Sequence, residues 1–121
     1  MKADQLRKQM RGMQRDVNGL LRLLEQRQLF IRGVVYKMKR KCGKPVCRCQ
    51  DGQLHESWVL SVPEHGRKRM CAVPKGKRLK WEQMAERYRR FRRARARLVR
   101  LFAEIITMVD NMERERTIPP P

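Results

Sequence analysis

Apolar positions recur at helical spacing towards both ends of the chain and at extended spacing between them. Near the start, Leu6, Met10, Met13, Val17, Leu20 and Leu24 follow one another in steps of 4, 3, 4, 3 and 4. That is the seam of an amphipathic helix, expected over residues 3–28. Gly12 and Gly19 interrupt it, and each costs about 1 kcal/mol relative to alanine inside a helix. Seven residues apart, they share a face off the seam. They read either as a place where another backbone comes close or as tolerated weakness.

A second series runs Trp81, Met84, Tyr88, Phe91, Arg95, Leu98, Phe102, Ile105, Val109 and Met112, with Arg95 its sole polar member. It predicts a long helix over 77–115, stopped before Pro119-Pro120-Pro121, with 116–121 as a tail. Residues 29–74 read as sheet with a cysteine loop at 42–55. The run 29–38 is β-branched and aromatic, with Gly33 as a bulge, and Trp58–Val62 and Arg69–Val73 flank a turn at Pro63-Glu64-His65-Gly66.

A chain of 121 residues suits one domain, 1–121. The expected fold class is α+β: an antiparallel, coiled-coil-like helical hairpin with a small three-stranded antiparallel sheet and a cysteine-rich knuckle at its tip. Setting Leu24 near Met84 places Met13 beside Arg95 and Leu6 beside Phe102. The register leaves Ile105, Ile106, Met108, Val109 and Met112 as an overhang. Such an exposed apolar end calls for self-association or a protein partner.

Charge changes the picture. With 31 Lys+Arg against 12 Asp+Glu the formal net charge is +19. It is unevenly placed: +4 on residues 1–28, +7 on 29–74, +10 on 75–100 and −2 on 101–121. Arg87, Arg89, Arg90, Arg92, Arg93, Arg95, Arg97 and Arg100 put eight arginines into fourteen residues, with only Glu82 and Glu86 nearby. Internal neutralisation fails there, and the guanidinium fork matches phosphate in a bidentate way. The sheet adds Lys37, Lys39, Arg40, Lys41, Lys44, Arg48, Arg67, Lys68 and Arg69. Two basic surfaces joined by a rod point to nucleic acid as the partner, ahead of an anionic membrane or an acidic protein. Trp58 and Trp81 read first as core anchors and second as platforms for stacked bases. No apolar run approaches a membrane span, and the N-terminal residues carry no signal-peptide pattern, so an intracellular, cytoplasmic protein is expected.

The cysteines are the most specific string: Cys42-Gly43-Lys44-Pro45-Val46-Cys47-Arg48-Cys49, with His55 six residues on. In a reducing compartment such thiols stay reduced or bind metal. Gly43 and Pro45 turn the chain so that three sulfurs converge, and zinc takes four tetrahedral ligands. His55 and Cys71 are the candidates for the fourth. The surrounding cations favour thiolates, which suits metal and also a redox switch. Three reduced, partly buried thiols are the remaining reading.

The string Cys-Gly-Lys-Pro-x-Cys-x-Cys, followed by Leu54-His55, a strand ending Leu60-Ser61, and Val73-Pro74-Lys75 before a long helix, resembles a family of small prokaryotic domains of unknown function. The resemblance covers roughly residues 36–112. It implies a fold and no activity. It also implies His55 as the fourth ligand, with Cys71 a packed strand residue, because the family usually has no cysteine there. The family tends to read Gly-Pro-Tyr where this chain has Glu56-Ser57-Trp58.

Nothing here reads as an enzyme. The carboxylates are scattered, and neither a Gly-rich phosphate loop nor a serine triad is present. Cys47 or Cys49 with His55 would make a nucleophile and base, but crowded thiols suit metal better. The function expected is a non-enzymatic nucleic-acid-binding accessory protein, DNA favoured over RNA, within a larger nucleoprotein machine. The alternative is an adaptor docking other proteins through its C-terminal helix end.

Overall fold

The computed structural model describes residues 3–121. Helix α1 spans Ala3–Leu24, strand β1 Val34–Arg40, a short 3₁₀ turn Arg48–Asp51, β2 His55–Glu64, β3 Arg67–Ala72 and helix α2 Arg78–Arg116. Two compact units share the chain. One combines residues 1–27 with 90–121, the other is residues 28–89, and α2 contributes to both.

In the second unit the strands pair antiparallel in the order β1-β2-β3. The β1–β2 ladder runs from Val34 opposite Ser61 to Arg40 opposite His55. The β2–β3 ladder runs from Val59 opposite Ala72 to Glu64 opposite Arg67. His65 and Gly66 alone connect β2 to β3, with φ of 49° and 76°. Two positive φ values make the turn whose twist matches the strands, and glycine takes the second place without steric cost. The central strand tolerates Pro63 because the β1 ladder ends at Ser61, short of it.

The extended segment expected over 29–38 divides. Only its second half enters the ladder, continuous from Val34 onwards, so Gly33 is no bulge. A Cβ at Gly33 would stand 2.8 Å from both Leu60 Cδ1 and the Ser61 carbonyl, so glycine is there to let the chain pass. Residues before it lie on α2 instead. The Ile31 N–H donates to the Met84 carbonyl at 3.1 Å, Arg87 donates to the Leu29 carbonyl, and Phe30 and Tyr88 are tilted rings 5.4 Å apart. Buried here are Cys49, Val59, Leu60 and Ala85.

The first unit buries Leu6 and Val17 of α1 with Ala94, Leu101 and Met108 of α2. The last three are seven apart, and they differ from the expected seam. Arg95 is exposed, and Phe102 and Val109 keep 48% and 44% of their surface. The small Ala94 had no weight in an apolar count, yet it is buried with Leu101 and Met108. The register differs too. Met13 shares a groove with Glu104, Thr107 and Met108, and Met10 shares another with Val109 and Met112. The expected neighbours were Arg95 for Met13 and Phe102 for Leu6. α1 therefore covers part of what was read as overhang, and Met108 is buried. Among the described residues, no helix is long and apolar enough to cross a membrane.

Candidate metal centre

The ladder that pairs Arg40 with His55 closes the loop 41–54 at its base. Cys42 sits just beyond β1 and His55 opens β2, so strand pairing brings them to one end of the sheet. Within the loop the Cys47 N–H donates to the Lys44 carbonyl at 3.4 Å, turning the chain at Pro45. The 3₁₀ turn then carries Cys49 inward, and Gly52 ends it in the left-handed region at φ 97°.

The ligand atoms of Cys42, Cys47, Cys49 and His55 all lie within 4.8 Å of one another. The Cys42 and Cys49 sulfurs are 3.5 Å apart, and Cys47 Sγ is 2.9 Å from His55 Nε2. Two thiolates on a tetrahedral zinc at about 2.3 Å would stand about 3.7 Å apart, so the set is sized for one metal ion. The Cys42 N–H donates to Cys49 Sγ at 3.3 Å. Such outer contacts orient metal ligands.

The thiols differ in their surroundings. A backbone hydrogen bond from Lys44, then contacts from Cys47 and Cys49, hold the Cys42 thiol below the usual range. Burial pushes the Cys49 thiol up, against its backbone hydrogen bond from Cys42. Cys71 stands apart from the four, half-buried in β3 opposite Leu60.

The arginine-rich stretch lies wholly on α2. Arg89, Arg90, Arg92, Arg93, Arg95, Arg97 and Arg100 are exposed, and Arg87 is half-buried. Arg89 pairs with Glu86 at 2.7 Å. Among the described residues, Arg90, Arg92, Arg95, Arg97 and Arg100 have no carboxylate within ion-pair distance. On the sheet, Lys37 and Lys39 both reach Glu56, at 3.2 and 3.6 Å, and Arg69 reaches Glu64 at 3.0 Å. Lys37 above all holds the Glu56 carboxyl below its ordinary range. Arg40, Lys41, Lys44, Arg48, Arg67 and Lys68 are exposed.

Trp58 is half-buried, and the Arg78 guanidinium lies 4.5 Å over its ring. The first residue of α2 thus occupies the indole face that a stacked base would need. Residue spacing does not signal this contact, because 20 positions of hairpin and loop separate the two.

A family model described as a domain of unknown function, DUF6788, matches residues 10–84. The chain belongs to this family. The matched region of DUF6788 takes in most of α1, the whole sheet and the cluster of Cys42, Cys47, Cys49 and His55. It begins earlier and ends earlier than the expected span of 36–112. The arginine stretch of α2 from Arg87 onwards lies outside it. No curated protein and no solved structure matches the chain.

Proposed function

We propose that this DUF6788 protein is a non-enzymatic nucleic-acid-binding accessory protein that grips the phosphate backbone through α2, DNA favoured over RNA, inside a larger nucleoprotein complex. One observation carries the reading: Arg90, Arg92, Arg95, Arg97 and Arg100 are exposed without a carboxylate partner among the described residues. Five uncompensated guanidinium groups on one helix repel one another, and a polyanion relieves that cost. The exposed cations of the cysteine loop and hairpin, Arg40, Lys41, Lys44, Arg48, Arg67 and Lys68, form a second basic surface.

Zinc is the metal that best fits three thiolates and one imidazole. Cys42, Cys47, Cys49 and His55 would fill all four positions, a closed set that stabilises a fold and leaves no place for substrate. Bound there, zinc would fix the loop 41–54 and with it the spacing of Lys44 and Arg48.

The test is binding of a fluorescent 20-base-pair duplex by nuclease-treated protein, followed by anisotropy across a salt series. With six phosphates engaged, affinity falls by about 10³ between 50 and 200 mM salt. Replacing Arg90, Arg92, Arg97 and Arg100 by glutamine should abolish most binding while leaving the fold intact by circular dichroism. A flat salt profile, or unchanged binding by that variant, would overturn the reading.

A further inference from the structure

One face of α2 is apolar and exposed, and its positions are spaced symmetrically about a centre. Val99, Phe102, Ile106 and Val109 keep 56%, 48%, 59% and 44% of their surface, and none belongs to the buried row Ala94, Leu101 and Met108. Arg95 precedes the stripe by four residues and Glu113 follows it by four, both exposed. At about 100° per residue these six positions fall within an arc of about 80°. Their steps of 4, 3, 4, 3 and 4 are a coiled-coil seam beside the buried row, and its Val109 and Glu113 also border the groove that Met10 of α1 lines.

The spacing is symmetric about position 104, so that apolar positions mirror apolar ones and a basic position mirrors an acidic one. Val99 and Val109 are equidistant from it, as are Phe102 and Ile106, and Arg95 and Glu113. We propose that this face binds the same face of a second copy of the chain, the two α2 helices running antiparallel about a two-fold axis at position 104. Val99 then meets the partner's Val109, Phe102 meets the partner's Ile106, and Arg95 meets the partner's Glu113. The contact is isologous, so each meeting occurs twice.

Charge selects this occupant and this direction. Residues 75–100 carry +10 and residues 101–121 carry −2. Antiparallel pairing lays each acidic end along the partner's arginines, whereas parallel pairing would set arginine stretch against arginine stretch. Glu104, nearest the axis, lines the groove shared with α1 on the far side of the helix, so the central acids do not oppose one another. The next equidistant pair outward is Arg92 and Arg116, like charges that mark where the contact ends. Ala103 beside the axis is small enough for close approach. The pairing does not depend on what the remaining arginines bind.

Sedimentation velocity on the nuclease-treated full chain tests this, with an expected concentration-dependent mass of twice 14.6 kDa at tens of micromolar. Ile106→Lys places a charge on an already exposed site, so the chain should keep its helicity while dimer affinity falls more than about 100-fold. Arg95→Glu alone and Glu113→Arg alone should each weaken the dimer by roughly tenfold, since each makes two like-charge contacts. The double variant Arg95→Glu/Glu113→Arg restores opposite charges and should recover most of that loss. A monodisperse monomer at 100 µM would overturn the proposal. So would a dimer indifferent to Ile106→Lys, or a double variant no tighter than the singles.

Discussion

Cys47 Sγ lies 2.9 Å from His55 Nε2, across a loop whose base is closed by the pairing of Arg40 with His55. The strand ladder, not the loop alone, completes the cluster. Protein purified without a histidine tag should therefore carry one zinc per chain by elemental analysis. His55→Ala and Cys49→Ser should lose it, whereas Cys71→Ser should retain it. Zinc kept by His55→Ala and lost by Cys71→Ser would reverse the assignment. Chelation should lower the melting temperature, because binding energy at a closed site is folding energy.

Gly33 and Gly19 should respond in opposite directions to the same substitution. Gly33→Ala forces a methyl to 2.8 Å from the Ser61 carbonyl and should cost about 1–3 kcal/mol by denaturant melting. A methyl at Gly19 meets nothing within 4 Å. Gly19→Ala should therefore stabilise α1 by about 0.5–1 kcal/mol. Loss of stability at Gly19 would show that another chain approaches that face.

Basic side chains already engaged with carboxylates should contribute less to nucleic-acid binding than free ones. Lys39 and Arg69 are held by Glu56 and Glu64. Lys44 and Arg48 have no such partner among the described residues. Lys44→Gln/Arg48→Gln should reduce the slope of log affinity against log salt by about 2. Lys39→Gln/Arg69→Gln should reduce it by clearly less. Equal slopes for the two variants would remove the second basic surface from the account.

Removing the guanidinium over Trp58 should be visible in the indole itself. Arg78→Ala uncovers a face now capped at 4.5 Å. Tryptophan emission should shift to the red, and stability should fall by about 1 kcal/mol, the size of a partly exposed cation–π contact. Arg78→Lys should recover part of the loss, since lysine keeps the charge but not the stacking plane.

Much of the architecture is legible in local pattern. Two helices, three antiparallel strands, a hairpin turn within Pro63-Glu64-His65-Gly66 (its first two residues belong to the ladder), and the convergence of Cys42, Cys47 and Cys49 all rest on spacing or turn chemistry within a few residues. Other features are not local. Large apolar side chains draw the expected seam of α2 through Phe102 and Val109, while burial follows Ala94, Leu101 and Met108. A count of hydrophobicity cannot separate two adjacent apolar rows on one helix. Burial within the folded unit does that, and it falls on Ala94, Leu101 and Met108. Gly33 looked like a bulge for a related reason: a glycine in a strand pattern signals relaxed sterics but not which backbone exploits them.

By itself, then, the sequence determined the helices and strands, the uneven charge and the string of three thiols, because these depend on residue type and separations of a few positions. Tertiary structure decided the rest. It brought His55 rather than Cys71 to the sulfurs through a ladder contact between Arg40 and His55. It set α1 towards the C-terminal turns of α2, so that Met13 and Met108 line one groove. And it left Val99, Phe102, Ile106 and Val109 uncovered, because a helix packed on one side can bury only one row at a time.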